Sequence, residues 1–467
     1  MTGRSLFDKI WDQHVVAELG GGMTLLHMDR VLLHDLSGYR ALKLLDEQGE
    51  RIANPALALG CPDHTAGSRP GEETDGAAYA RVGPEFRGLC QRLGIPYHHV
   101  GGSSFGILHV IGPELGITLP GTTLVCGDSH TCTHGGLGAL AWGIGSSELV
   151  HVLSTQTLMQ KKSKRMRIGF EGKLPFGVTA KDMILHVIGR EGTAAGDGFA
   201  VEYAGGAIRD MEVEGRMTIC NLSIEMGAKV GMVAPDDKTF AYLENRPHAP
   251  KGVDWDRAVD HWRGLAGDGD AVFDREVHVD VADVGPQVTW GTSPEHVVAI
   301  DQPLPDPANA PDDDKREAWL AAFDYIGLEP GKPIAGTPVD QVFIGSCTNS
   351  RISDLRAAAE VVKGRRVAAG VAAWAVPGSA AVKAEAEREG LDKVFIEAGF
   401  EWRSPSCSMC VGANGDILEP GKRTISTSNR NFIGRQGPGV RTHLASPSMA
   451  AAAAVTGAIT DVRKLGA

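Results

Sequence analysis

The 467-residue sequence has no long apolar run. Its longest, Met449 to Val455, is mostly alanine and far shorter than the roughly 20 residues a membrane-crossing helix needs. The first residues, Met1-Thr-Gly-Arg-Ser-Leu-Phe-Asp-Lys, carry no apolar signal core. The expectation is a cytoplasmic protein without membrane contact. Basic residues are in deficit. The 46 Lys and Arg against 58 Asp and Glu leave a net charge of −12, which argues against a nucleic-acid partner. Cysteine is sparse too, and eight in so long a chain do not make a disulfide framework. Hydrophobic content of 42% and charged content of 22% remain those of an ordinary globular protein. The length suffices for two to four domains. Glycine, by contrast, is plentiful at 60 residues, spread among turns and not gathered into a linker.

The cysteines worth attention lack a fourth member. Gly345-Ser346-Cys347-Thr348-Asn349-Ser350 is followed about sixty residues later by Cys407-Ser408-Met409-Cys410. Val342, Phe343 and Ile344 read as a short buried strand, and Ile352, Leu355, Ala359 and Val362 as one face of a helix after it. Cys347 is thereby expected at the carboxyl end of a strand, where open α/β sheets place their ligands. The spacing leaves three readings open. A structural zinc site wants four ligands and only three thiols are grouped. A redox CxxC leaves Cys347 unexplained. An iron–sulfur cluster on three thiolates would leave one iron open to substrate.

Along the rest of the chain the chemistry-bearing residues are individually weak signals. Ser5 reads as an N-cap, with Leu6, Ile10 and Val15 on one helix face. His27 and His34 read as ordinary surface or core histidines. Asp63-His64 lies in a Gly/Pro-flanked loop, where a carboxylate beside an imidazole can tune proton transfer. His109 sits alone in the apolar run from Ile107 to Ile111. Thr122 to Cys126 reads as a strand whose exit loop is Gly127-Asp128-Ser129-His130, with a helix from about Ser146 to Leu158 beyond. No Gly-x-Ser-x-Gly elbow surrounds Ser129, which excludes the nucleophile of an α/β-hydrolase. Strand and helix signals at 166–170, 181–188 and 211–214 indicate a second α/β unit. Cys220 to Gly227 reads as the start of a helix, with Asn221 and Glu225 four apart and so on one face. Asp301 to Asp314, rich in Pro and Asp, reads as an exposed loop. Ala373 to Ser379 reads as a strand entering a turn. Arg430 and Arg435 flank a Gly-containing loop, and arginine suits bidentate carboxylate binding. Ser446-Pro447 starts a helix ending near Gly457. Composition places boundaries that give domains at 1–164, 165–285 and 286–467.

Four motifs occur together and in order: Gly127-Asp128-Ser129-His130-Thr131, Cys347-Thr348-Asn349-Ser350, Cys407-x-x-Cys410 and Ser428-Asn429-Arg430-Asn431-Phe432-x-Gly434-Arg435. In this the chain resembles the aconitase superfamily, and within it the isopropylmalate isomerase branch, over nearly its whole length. The resemblance implies an α/β fold of three α/β/α domains around a cluster cleft, without the fourth, swivelling domain of single-chain members. It implies a 4Fe–4S cluster on Cys347, Cys407 and Cys410. It also implies a hydro-lyase that isomerises 2-isopropylmalate and 3-isopropylmalate by dehydration and rehydration. Asp63 with His64 and His109 with Asp128 match the family's acid pairs. His130 matches a residue beside the open iron, and Glu225 a group near the catalytic water. Ser129, Asn221, Asn429, Arg430 and Arg435 match substrate-site positions. Cys126 and Cys132 match no cluster role.

The chain stops soon after the third domain, so the resemblance implies a separate small subunit in a heterodimer or heterotetramer. The other expected partner is a small dicarboxylate hydroxy acid. The family's Asn-His-Pro-x-x-Gly-Ile run is replaced here by Gly101-Gly102-Ser103-Ser104-Phe105-Gly106-Ile107. That departure keeps a second substrate expectation in view: homoaconitate, 2-methylmalate/citraconate or another alkylmalate. A cluster-free, RNA-binding iron sensor is the remaining alternative, and the acidic charge argues against it.

Overall fold

A computed structural model describes residues 3–466 as two compact units. The first comprises the residues up to Ala66 with Thr74–Gly172 and Gly196–Asp280; the second comprises Gly67–Glu73, Lys173–Ala195 and Val281 onward.

The first unit contains a four-stranded parallel sheet in the spatial order Ala58–Cys61, Arg30–His34, Thr123–Cys126, Leu140–Gly143. Every residue of Ala58–Cys61 and of Thr123–Cys126 is buried, as expected of parallel strands covered on both faces. The strand order reverses between Arg30–His34 and Thr123–Cys126. A second parallel sheet orders Val230–Val233, Phe199–Ala204, Lys164–Glu171 and Arg275–Asp280. A small antiparallel sheet joins Val15–Gly20, Met23–His27 and Thr157–Lys161. One large apolar cluster, including Phe7, Trp11, Leu42, Phe86, Trp142 and Met217, fills this unit.

The second unit is built on a five-stranded parallel sheet ordered Glu401–Trp402, Ala372–Ala375, Gln341–Ile344, Arg423–Ser426, Arg441–Leu444. Its order reverses between Gln341–Ile344 and Arg423–Ser426. Such a reversal splays the loops on either side apart and leaves a crevice at the carboxyl ends of the two strands. The following helix, Ile352–Val362, buries Ile352, Leu355, Ala359 and Val362 as its spacing predicts.

Each compositional stretch carries one of these parallel sheets, the second beginning at Lys164 beside the first boundary. The compact units divide the chain differently, because the segment 173–195 folds with the second unit. Its helix Ala180–Glu191 packs on the antiparallel pair Gln287–Thr289 and Val297–Ala299. Asp182 fixes it there by accepting the Gln287 N–H at 2.7 Å.

Several local expectations need correction. The first helix is Leu6–Gln13, closed at its start by a Ser5–Asp8 capping box, and Val15 already belongs to a strand. The helix from Ser146 stops at Thr155, and Leu158 lies in the next strand because Gln156 takes a left-handed conformation. Residues 211–214 lead into the helix Val213–Asn221 and are not a strand. Asn221 ends that helix, and Leu222–Met226 is a tighter 3-10 turn, so Cys220–Gly227 is a helix end. The acidic end of the 301–314 loop caps a helix: Asp312 accepts the Lys315 N–H at the start of Asp313–Ile326.

Candidate active site

In the first unit three loops leave the carboxyl ends of neighbouring parallel strands. Arg30–His34 delivers His34 and Asp35, Ala58–Cys61 delivers Asp63 and His64, and Thr123–Cys126 delivers Asp128, Ser129 and His130. Residues 129–137 form a 3-10 helix capped by Asp128, whose carboxylate accepts the His130 N–H at 2.7 Å. That helix lies hard against the Val230–Val233 strand. A Cβ on Gly135 would sit 1.8 Å from the Gly231 carbonyl oxygen, so only glycine fits there.

Asp128 gathers three imidazoles. His64 Nε2 lies 3.3 Å, His109 Nε2 3.5 Å and His130 Nδ1 3.3 Å from its oxygens. Each imidazole is held from its other side. Asp63 takes His64 Nδ1 at 2.8 Å and the Leu108 N–H at 2.9 Å. Glu225 takes His130 Nε2 at 2.7 Å. His109 Nδ1 meets His134 Nε2 at 3.0 Å, and His134 Nδ1 meets the Thr118 hydroxyl at 2.6 Å. Asn221 donates to Thr133 at 2.7 Å, so Asn221 and Glu225 reach the same 3-10 helix. Ser129 Oγ lies 3.5 Å from His130 Nδ1.

The electrostatics follow from this mutual enclosure. Burial works to raise the Asp128 carboxyl, but hydrogen bonds from His109, His130 and His64 hold it well below the usual carboxylate range. Burial works to lower His64; the Asp63 charge, then the bonds to Asp128 and Asp63, lift it well above the ordinary imidazole range. His130 is raised against burial by its bonds to Asp128 and Glu225. His34 goes the other way, lowered by burial and by the His64 charge. The two rings lie 4.5 Å apart, so charge on one disfavours charge on the other.

His34 and Asp35 were not legible as site residues. Asp35 accepts the N–H groups of His64 at 3.1 Å and Thr65 at 2.9 Å, fixing the loop that carries His64. Their signal was positional: His34 closes an apolar strand of the parallel sheet. His34, Asp35 and His64 bring donor atoms within 4.8 Å of one another. Both ring nitrogens of His64 are already held by carboxylates, so the trio is a hydrogen-bonded network and not a metal site. His134 and Thr118, behind His109, had no sequence signal.

The second unit holds Cys347, Cys407, Cys410, Asn429, Arg430 and Arg435, so the expected residues divide between the units. Cys347 follows the strand Gln341–Ile344 and Asn429 follows Arg423–Ser426, at the two sides of the order reversal. The Asn429 amide donates to Cys347 Sγ at 3.3 Å, and its oxygen accepts from Cys410 Sγ at 3.6 Å. All three thiols are buried and no disulfide joins any cysteine. The other five cysteines lie in the first unit. Among the described residues, the three sulfurs are not a set whose donor atoms converge within 4.8 Å, the spacing a single ion requires.

The thiol loops are built by hydroxyl groups. Thr427 Oγ1 accepts the Gly345 N–H at 2.8 Å and donates to the Gly345 carbonyl at 2.9 Å. Ser68, Ser408 and Asp416 close a triangle of 3.0, 2.6 and 2.8 Å. Arg403, buried and stacked 3.3 Å from the Trp374 ring centroid, donates to Ser68 at 3.0 Å and to Asp416 at 3.3 Å. Met409 and Cys410 pack with Phe343 and Val376. Ser346 and Ser408, next to Cys347 and Cys407, have φ of +88° and +47°. Left-handed backbone at such residues costs on the order of 1 kcal/mol or more and concentrates at functional sites. Arg435 Nε is buried with no hydrogen-bond partner. Arg430 lies half-buried, its guanidinium 5.8 Å from the Phe432 ring centroid. Lys181, fully buried, donates to the Ser428 carbonyl at 2.7 Å and to that of Thr427. Burial pushes its ammonium down to about 7, against the pull of Asp354, Cys410, Asp182 and Cys347.

Cys347 and Asn429 at one sheet reversal, with Cys410 bonded to Asn429, and an Asp–His network at the other define an α/β architecture with two chemically distinct residue sets. The sequence profile of the aconitase family (aconitate hydratase) matches residues 8–457, and the chain belongs to that family. It is 60% identical over 466 residues to the 3-isopropylmalate dehydratase large subunit 1 of Bradyrhizobium diazoefficiens, covering 99% of this chain and 97% of that relative. Among the described residues no helix is long and apolar enough to cross a membrane.

Proposed function

We propose that this chain is the large subunit of a 4Fe–4S hydro-lyase that interconverts 2-isopropylmalate and 3-isopropylmalate in leucine biosynthesis, in the cytoplasm. The observation that carries the reading is the Asn429 bridge between Cys347 and Cys410 in a chain 60% identical to a 3-isopropylmalate dehydratase large subunit. Cys347, Cys407 and Cys410 would hold the cluster. Three buried sulfurs without single-ion spacing, and no fourth cysteine in their unit, fit a cluster with one iron lacking a protein thiolate. When bound, the cluster supplies a Lewis acid for the departing hydroxyl.

The chain's own residues supply the proton and the grip. His64 is the proton donor. Asp63 and Asp128 flank its ring and keep it charged near neutrality, while an ordinary imidazole would be mostly neutral. His109 and His130 share Asp128, so proton loss from His64 leaves the carboxylate still paired. Arg435, with a buried Nε lacking an acceptor, and Arg430 take the substrate carboxylates. Asn221 and Ser129 orient the hydroxy acid. The name of the relative, a large subunit, extends the reading to a separate small subunit that completes the site and brings the base for the α-carbon.

The test is an anaerobic assay of the chain, reconstituted with iron and sulfide and mixed with its small subunit, following the alkene intermediate by absorbance from 3-isopropylmalate. Turnover is expected, and Cys347→Ser is expected to abolish it together with bound iron. A loaded cluster that turns over 2-methylmalate or homoaconitate and not isopropylmalate would keep the chemistry and replace the substrate.

A further inference from the structure

Lys181 lies in the first turn of the helix Ala180–Glu191, yet none of it reaches solvent. Lysine is almost never fully buried unless paired. Here the ammonium turns inward onto the carbonyl oxygens of Thr427 and Ser428, the two residues before Asn429. Carbonyl groups orient a cation without neutralising it, and an uncompensated buried charge is costly. The acidic groups that attract it are Asp354, Asp182 and the thiols of Cys410 and Cys347. Both carboxylates have other work. Asp182 accepts from Thr179 N and Oγ1 at 2.8 and 2.7 Å and from Gln287 N at 2.7 Å. Asp354 accepts from the Asn349 amide at 2.8 Å and Arg351 N at 3.0 Å. Asp354 is the largest of these attractions and the Cys410 thiol the next, so the thiol site is the part of this negative environment that changes when it is loaded. The same Thr427 carbonyl accepts the Ser346 hydroxyl at 3.3 Å, so the lysine holds the loop that touches both Cys347 and Cys410.

We propose that Lys181 is the internal counter-ion and positioning residue of the cluster site. Its ammonium offsets the negative charge that Cys347, Cys407 and Cys410 bring as thiolates, and it pins the 427–429 loop against them. The inference rests on the cluster reading above. It makes the site charge-balanced only when loaded: the lysine is a burden in the empty chain and an asset in the filled one.

The experiment compares wild type, Lys181→Gln and Lys181→Arg as full-length chains with the small subunit, reconstituted anaerobically. The readouts are iron and acid-labile sulfide per chain, the cluster midpoint potential from an EPR-monitored titration, and the rate of cluster loss to a chelator. Lys181→Gln keeps a donor for the carbonyls and removes the charge. It is expected to lower the midpoint potential and speed cluster loss several-fold, while the empty variant melts at or above the empty wild type. Lys181→Arg is expected to restore the potential. An unchanged potential and loss rate in Lys181→Gln overturns the inference, as does an Arg variant as low in potential as the Gln variant. A Lys181→Gln chain that does not fold when empty overturns it too, because the lysine is then a structural tie. A wild type that takes up no iron and sulfide defeats the cluster reading itself, which separates the two failures.

Discussion

In the first unit the loops after neighbouring parallel strands carry paired carboxylates and imidazoles; in the second they carry thiols, hydroxyls and amides beside arginines. Asp128, Asp63 and Glu225 meet His64, His109 and His130 within 3.5 Å. The neutral Asn429 amide meets Cys347 at 3.3 Å and Cys410 at 3.6 Å. The first arrangement favours the charged forms of Asp128, His64 and His130 before any ligand arrives, because each is stabilised by opposite charge and hydrogen bonds. In the second the thiols meet a neutral amide, while the Arg403–Asp416 pair and the Lys181 ammonium brace the loops around them. The difference teaches how one chain can keep an ion-paired residue set apart from a thiol set.

The comparison breaks most sharply at His64. His64→Ala is expected to lower kcat about 10²- to 10⁴-fold, the usual contribution of a general acid, while iron per chain stays at the wild-type value. Loss of iron in that variant would show that the two halves are not chemically separable. Asp416→Asn attacks the other half. It removes the anion that ties Ser68, Ser408 and Arg403. The expected cost is about 1–3 kcal/mol in urea unfolding, with faster cluster loss and little change in the pH profile.

Asp63→Asn sharpens the comparison through pH. The Asp63 charge is the largest influence raising His64, so its removal lowers that pKa. The alkaline limb of kcat is then expected to move to lower pH. Stability follows the same sign. With His64 raised when folded, its contribution is full below the unfolded value near 6.5 and is lost as pH rises through the folded value. The fall in melting temperature between pH 6 and pH 8 is therefore expected to be smaller in Asp63→Asn than in wild type. The smallest effect belongs to Thr118→Val, which removes the 2.6 Å contact behind His134 and so loosens His109. A few-fold loss of kcat with unchanged iron is expected. An unchanged kcat would confine the active network to the three imidazoles on Asp128.

Much of the second unit was readable as text. Val342 to Ile344, the helix face from Ile352 to Val362 and Pro447 to Gly457 formed where periodicity and capping placed them. These are local signals, and local propensity acted without opposition. Where it failed, a neighbour decided. Val15 and Leu158 pair as strands because the antiparallel sheet takes them, although each continues a helical apolar spacing. Lys181 and His34 look like solvated or inert residues in sequence, since nothing adjacent in the chain announces a buried partner.

The sequence by itself determined the chemistry available: three grouped thiols without a fourth, an Asp-His pair, an Asp-Ser-His exit loop, and arginines in a glycine-containing loop. Local side-chain spacing and residue type carry that information. Tertiary structure alone decided which groups ionise and which partner which. It made Asp128 the common anion of three histidines, brought Asn429 between two cysteines that lie 82 and 19 positions before it in the chain, and sank Lys181 among carbonyls. Charge and burial depend on distances through space, and parallel strands joined by long crossovers set those distances between residues far apart in the chain.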